Sequence, residues 1–247
     1  MSVAFASIQS LEIAAWPDLD HTIRGDWRLR YARGFSGRAN SATALNEGAT
    51  LGDADIDAIE GFYRARHLPA LIRMTPFVDA SLDDRLADRG YTAKSASEYR
   101  LISLKGPRAF EPGLIHADTA SSAWIADFGR LNGRVDFSPD TMADMLGRIE
   151  ARATFTSIIE DGHRLAVGMG VLQNGLMEVQ SIAVDATERK RGLGRRIVGG
   201  LLAWGYAQGA NAALLSVEAT NAPAIHLYTS LGFEKAAGYR YRVKALA

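Results

Sequence analysis

The chain has 247 residues and a formal net charge of zero, with 28 basic and 28 acidic side chains. Hydrophobic residues make up 47% of it and charged residues 23%, which suits a globular chain with a sizeable core and gives nucleic acid or an anionic membrane no overall charge to answer. Cysteine is absent, so disulfides, a thiol nucleophile and cysteine metal sites are excluded.

Met1-Ser-Val-Ala-Phe5 lacks the basic and long apolar regions of a secretory leader. No run approaches the roughly 20 apolar residues of a membrane span. A cytoplasmic chain is expected. Residues 5–15 read as a short helix ended near Pro17. Trp27–Tyr31 alternates as a strand does. A glycine turn from Gly34 to Gly37 leads to a second expected strand, Arg38 to Leu45. Asp53 is a candidate N-cap for a helix with the stripe Ile56, Ile59, Phe62 and Tyr63, stopped by Pro69. Ala70–Met74 reads as a strand, Ser81–Asp88 as a helix, and Tyr91–Leu104 as one or two strands. Gly106-Pro107 and Pro112-Gly113 bracket a linker.

The second half opens with a strand near Leu114–Ala117, then a helix capped by Asp118 or Thr119 that runs to about Leu131. Another helix is expected from Pro139 to Ala151. Strands at 153–160, 165–172 and 176–184 form a meander, turned at Asp161-Gly162 and Asn174-Gly175. A helix follows to about Gln208, with Gly209 closing it. Ala212–Val217 is a strand, Ala222–Ser230 a helix and Phe233–Val243 the last strand. The class is mixed α/β.

Between the meander and its helix lies Asp185-Ala-Thr-Glu-Arg189-Lys190-Arg191-Gly192-Leu193-Gly194-Arg195-Arg196. Leu193, Ile197 and Leu201 give the helix its apolar face. Five cations crowd its first turn and the turn before, where the macrodipole favours acidic residues instead. An anion docked on free backbone N–H groups explains this, with Gly192 and Gly194 admitting it closely. A solvated basic patch or a nucleic-acid contact would read the same on Arg189–Gly194 alone. A Walker loop is excluded because no Gly-Lys-Ser/Thr is present, and a dinucleotide fingerprint because Ile197 stands where the third glycine belongs. Gly199-Gly200, later in the helix, points to close packing on the sheet.

Arg189-x-x-Gly192-x-Gly194 behind an apolar strand resembles the coenzyme A pyrophosphate loop of the GNAT acetyltransferase superfamily. A second segment resembles the same superfamily: Ser216-Val-Glu-Ala-Thr-Asn221, then Tyr228 seven residues on, then Leu231-Gly232-Phe233. The resemblance covers residues 114–247 clearly and the first half weakly. Trp27…Arg38-Ala-Asn-Ser41 looks like the N-terminal part of bacterial two-lobed members.

The halves also match each other at an offset of 142 residues. Gly90-Tyr91 falls on Gly232-Phe233, Tyr99-Arg100-Leu101 on Tyr241-Arg242-Val243, and Leu71–Met74 on Ala213–Ser216. Two GNAT-like folds are expected, each a mostly antiparallel sheet flanked by helices. The first, 1–106, is degenerate: residues 47–52 carry no Arg or Lys in the register of the basic loop, and Leu86 occupies the register of Tyr228. The second, 107–247, is the catalytic one.

What the resemblance implies is an N-acetyltransferase that moves the acetyl group of acetyl-CoA to a primary amine by direct attack in a ternary complex. A non-catalytic acyl-CoA sensor on the same fold is the alternative. Ile182, Ala183 and Val184 would hold pantetheine through their backbone. Arg189, Lys190, Arg191, Gly192, Leu193, Gly194 and Arg195 would hold the pyrophosphate. Asn221 would contact the cofactor arm, and Tyr228 would also protonate the CoA sulfur. Glu178 stands where several members carry the general base; a carboxylate on a half-exposed strand reads the same. Asn221 also suits a helix cap, and Tyr228 a buried tyrosine. No metal is expected, because His116, His163 and His226 have no ligand spacing. The expected partner is a small-molecule or peptide amine, with no nucleic acid and no membrane, and the chain is expected as a monomer or homodimer.

Overall fold

The computed structural model describes residues 4–246. The first half runs α1 (Phe5–Ala15), β1 (Asp20–Arg24), β2 (Trp27–Tyr31), a 3-10 turn (Gly37–Ala39), β3 (Ala42–Ala44), α2 (Asp53–Arg64), β4 (Ala70–Met74), α3 (Ser81–Asp88) and β5 (Thr92–Ser103). The second runs β6 (Leu114–Ala117), α4 (Ser122–Asn132), α5 (Pro139–Leu146), β7 (Arg152–Glu160), β8 (His163–Gln173) and β9 (Leu176–Val184). A 3-10 turn (Ala186–Glu188), α6 (Leu193–Ala207), β10 (Ala212–Glu218), α7 (Ala222–Ser230) and β11 (Glu234–Lys244) complete it.

Most expected elements stand, and five readings need correction. Asp20–Arg24 is a strand that sequence reading left out: it is an outer strand with exposed, polar side chains, so no apolar alternation marks it. The stretch Arg38–Leu45 gives only a 3-10 turn and the three residues of β3. Helix α5 ends at Leu146 rather than Ala151. Two caps differ: Ser121 accepts from the Trp124 N–H at 3.1 Å and starts α4, and Asp55 accepts from the Gly52 N–H at 3.0 Å at the start of α2.

The eleven strands form one sheet in the order β1-β2-β3-β4-β11-β5-β10-β9-β8-β7-β6. Only β3–β4 and β9–β10 are parallel neighbours. Side chains alternate across each strand, so the sheet has two buried faces. On one, Tyr99, Leu214, Tyr239 and Tyr241 pack with Leu11 of α1, Trp124 and Phe128 of α4 and Met142 of α5. On the other, Ala213 and Leu215 pack with Leu193, Ile197 and Leu201 of α6 and Tyr228 of α7. Ile72 and Met74 meet Ile56 and Ile59 of α2 and Leu82 and Leu86 of α3. Ile197 and Leu201 are fully buried, each contributing about 1.5–3 kcal/mol. Gly200 lets α6 settle on the sheet, since a Cβ there would lie 2.0 Å from Leu114 of β6.

The two halves interlock at the centre. Strand β11 lies between β4 and β5, and β5 lies between β11 and β10. The β5–β11 pairing maps onto itself at the offset of 142: Thr92 faces Val243, and Glu234 faces Leu101. Strand β4 is out of step by one. Leu71 pairs with Val243, and the equivalent partner of Leu101 is Leu214, not Ala213. Leu71–Met74 therefore corresponds to Leu214–Val217. A one-residue slip would turn every side chain to the opposite face, so the difference is absorbed in the loops that follow.

Candidate active site

The site begins where two strands part. Parallel pairing of β9 with β10 covers Leu176–Glu178 against Ala212–Leu214 and stops there. Strand β10 stays bound to β5 as far as Glu218, while β9 stays bound to β8 as far as Val184. The flank of β9 beyond Glu178 is left without a neighbouring strand, so its peptide groups can receive an extended ligand. A bulge re-aims this flank. The β8–β9 register slips between Val167 and Met169, and Ser181 takes a left-handed φ of 55°. Gly168 makes room for it: a Cβ there would lie 2.5 Å from Ile197 and 2.6 Å from Ile182. Ala183 is buried, and Ile182 and Val184 are half-buried against the α6 core.

At the far end of β9, Asp185 caps the next turn through the Thr187 N–H at 3.0 Å and accepts from Arg130 at 2.9 Å. Lys190 and Gly192 both take left-handed φ values, 67° and 76°. Helix α6 then starts at Leu193 with no side-chain cap and no acid in its first turn, whereas Ser121, Ser138 and Asn221 cap α4, α5 and α7. Its first N–H groups are therefore open to an anion. The cations around it are not equivalent. Arg191 pairs with Glu188 and, at 2.8 Å, with Glu160. Arg195 donates to Ser230 Oγ at 2.6 Å, and Arg196 to the Pro112 carbonyl at 3.0 Å. Arg189 and Lys190 are exposed, and among the described residues no carboxylate pairs with either. Gly194 brings α6 against α7: a Cβ there would meet Leu227 at 3.2 Å.

Helix α7 carries the second segment. Asn221 caps it, accepting from the Ala224 N–H at 3.2 Å. Tyr228 is buried against Phe233 with ring centroids 6.0 Å apart. Burial pushes its hydroxyl up to about 12, and among the described residues no group hydrogen-bonds it. The hydroxyl is not among the buried polar atoms left without a partner, so the ring is buried while the oxygen keeps contact with solvent at the site.

Glu178 sits at the last paired position before the strands part. It is not on a half-exposed face: its side chain is 0% exposed. Arg38, from the 3-10 turn of the first half, donates to Glu178 Oε1 and to Gln180 Oε1. Gln180 Nε2 donates in turn to the Ala15 carbonyl of α1 at 2.6 Å. Glu178 Oε2 is buried and has no partner. Beside it, Arg73 of β4 makes two bonds to Glu12 of α1, at 2.9 and 2.7 Å, and Tyr99 donates to Glu12 at 2.7 Å. Burial raises the Glu178 carboxyl to about 7, with Arg38 opposing. Burial would raise Glu12 too, but Arg73, with Arg38 and Tyr99 behind it, outweighs burial and holds Glu12 below its ordinary value.

Sequence reading missed Glu12, Arg38, Arg73 and Gln180 as members of this cluster. Two carried a signal. Arg73 interrupts the apolar strand Ala70-Leu-Ile-Arg-Met74, and Glu12 lies on the helix stripe of Ile8, Leu11 and Ala15. Arg38 opens onto a cavity of about 440 Å³ with Lys94, Ser97, Ser216, Tyr239 and Tyr241 in its wall. The Ser216 hydroxyl is buried there without a partner. Among the described residues no group of three or more His, Cys, Asp or Glu side chains could hold a metal. Of the acidic residues near the second half, Asp127 is spent on Arg130 and Arg164, and Asp136 on Arg134.

A family model described as "Probable histone acetyltransferase Rv0428c C-terminal" matches residues 5–242. A Bacillus subtilis protein described as an uncharacterized N-acetyltransferase, YobR, is 27% identical over 245 residues, covering 96% of this chain and 97% of its own. Among solved structures, a GCN5-related N-acetyltransferase from Kribbella flavida superposes over 100% of this chain and 98% of its own, with a TM-score of 0.71 at 17% identity. A tandem GNAT protein from the clavulanic acid biosynthesis pathway covers 78% of this chain and 70% of its own, with a TM-score of 0.62 at 14% identity. At these identities the structures speak for the fold alone. The forked sheet, the uncapped helix and the matched family together make this chain a member of the GNAT superfamily, in the family described as Rv0428c C-terminal acetyltransferases.

Proposed function

We propose that the chain transfers the acetyl group of acetyl-CoA to a primary amine in a ternary complex. The observation that carries this reading is the fork of β9 and β10 ending beside the uncapped, cation-rimmed start of α6. The amides of Gly192 to Arg195, with Arg189 and Lys190, would hold the pyrophosphate. The open flank of β9 at Ile182–Val184 would take the pantetheine, and an N–H near Val184 would face the negative charge growing on the thioester oxygen. Asn221 would touch the cofactor arm beside its capping bond. Tyr228 keeps its proton at neutral pH and has no competing partner, which suits a general acid for the departing sulfur. Glu178, raised towards neutrality and held at the fork, suits the base.

The acceptor would sit in the cavity beside Arg38. Its wall carries Lys94 and Arg38 against one exposed carboxylate, Glu218. A compact amine fits this balance better than a polycationic tail. Residues 1–106 and 107–247 form two lobes in this reading, the second holding the cofactor and the first closing the acceptor side. The chain works as a monomer or homodimer in the cytoplasm; among the described residues no helix is long and apolar enough to cross a membrane. The test is titration calorimetry with acetyl-CoA, followed by thiol release over an amine panel. Absence of binding at millimolar acetyl-CoA would sink the reading. Binding without thiol release from any amine would turn it into the acyl-CoA sensor.

A further inference from the structure

Two carboxylates share one dry cluster, and they are served unequally. Glu12 accepts three hydrogen bonds, two from Arg73 and one from Tyr99. Glu178 accepts from Arg38 through Oε1 alone, and its Oε2 has none. The guanidinium of Arg38 is itself fixed on three sides: by Glu178, by Gln180, and by the Trp16 ring, whose centroid lies 5.3 Å from Cζ. Gln180 is tied to α1 through the Ala15 carbonyl. One first-half side chain therefore sets the position of the carboxylate at the fork.

We propose that Arg38 is a positioning residue for Glu178, holding Oε1 and leaving Oε2 as the atom that receives the acceptor's proton. This rests on the acetyltransferase reading above. In the step, the neutral amine nitrogen bonds to the thioester carbonyl carbon as the carbon–sulfur bond breaks. The cavity wall holds Arg38 and not the buried Glu178, so the surplus N–H proton passes to Glu178 Oε2 by way of water, and the Tyr228 hydroxyl proton passes to the sulfur. Glu178 then loses its proton and Tyr228 regains one, directly or through solvent, so the products are the amide and the free thiol.

The groups facing Glu178 are few. Glu12 comes from α1 and Arg73 from β4, and Tyr99 of β5 with Tyr239 and Tyr241 of β11 surrounds Arg73 beside them. Helices α4 and α5 present Trp124, Phe128, Met142 and Met145 to the same core. Its strand neighbours are Leu214 and Val171. Among the described residues Arg38 is the one cation bonded to it. Removing that charge leaves burial and the Glu12 charge to push the carboxyl further up, opposed by Arg73 alone.

The experiment follows the Glu178 carboxyl directly, by infrared difference titration of the purified full chain. In the wild type a protonated-carboxyl band is expected to titrate at about pH 7, and to be missing from Glu178→Gln. Arg38→Gln is expected to raise the midpoint by about one unit or more, with Arg38→Lys in between. Gln180→Leu, which frees one side of Arg38, shifts it in the same sense by less, and serves if Arg38→Gln does not fold. With an acceptor in hand, Arg38→Gln lowers kcat at least about tenfold, moves the acid limb of the pH profile up, and leaves the KM for acetyl-CoA unchanged. A band that persists in Glu178→Gln, or an unshifted midpoint in both Arg38→Lys and Gln180→Leu, overturns the proposal. The titration needs no acceptor, so its failure is separate from failure of the wild type to bind acetyl-CoA.

Discussion

Glu12 and Arg73 meet in a two-pronged ion pair, and neither side chain exposes any surface. The pair pins α1 to β4 on the face where the first half meets the fork. Removing one partner leaves a buried, unpaired charge, which costs far more than the pair contributes. Glu12→Ala and Arg73→Met should each destabilise the fold by about 3–5 kcal/mol in urea unfolding, and replacing both partners by apolar residues that pack should cost less.

Acid should reveal the same pair. Glu12 is held below its ordinary 4.5 when folded, so its contribution is present above that value and is lost as the pH falls towards the folded value. Glu178 works in the opposite sense. Its folded value lies above its unfolded one, so its stabilisation is full below about 4.5 and is lost as the pH rises through about 7. Glu178→Gln should thus gain stability relative to wild type across that window, by a few kcal/mol at its upper end. Unfolding midpoints between pH 4 and 8 that track each other in the two proteins would refute this.

Tyr228→Phe separates chemistry from folding. The hydroxyl has no partner to lose among the described residues, so melting temperature and acetyl-CoA affinity should barely change. The kcat should fall by about 10²-fold if the hydroxyl protonates the sulfur. Unchanged turnover would remove Tyr228 from that role.

The cations at the start of α6 should differ when replaced one at a time. Arg189→Ala and Lys190→Ala remove charges with no carboxylate partner, and each should weaken CoA binding by about three- to tenfold at low salt. Arg191→Ala removes a charge already shared with Glu188 and Glu160, and should weaken it less. Calorimetry at two salt concentrations decides the order.

Gly168→Ala tests the bulge. The new methyl group would press on Ile182 and Ile197, costing about 1–3 kcal/mol and displacing the flank of β9. A variant with wild-type melting temperature and wild-type CoA affinity would show that the bulge does not depend on this contact.

The sequence declared the cofactor side more openly than the acceptor side, and the reason is locality. Arg189, Gly192 and Gly194 are neighbours in the chain, and Asn221 and Tyr228 share one helix, so their spacing is written in a few residues. Arg38 and Glu178 are 140 residues apart, and no local pattern foretells that they touch. Elements with an apolar period, such as α6 and β7 to β10, were legible. The polar outer strand β1 was not, because it buries nothing that would mark it. The repeat was legible in Gly90 and Gly232, where a left-handed turn demands glycine, yet its register in β4 required the pairing itself.

The interlocked centre of the sheet also sets a timetable for synthesis. Strands β4 and β5 are made early, but the strand that separates them, β11, follows every other described element. At ordinary translation rates the first half must wait on the order of 10 s for its missing neighbour. During that interval β4 and β5 each present a backbone edge with no lasting partner, or pair with each other and must part again. Either way the active-site core closes only after Tyr241 reaches its place opposite Arg73, so it stays open until β11 has been made.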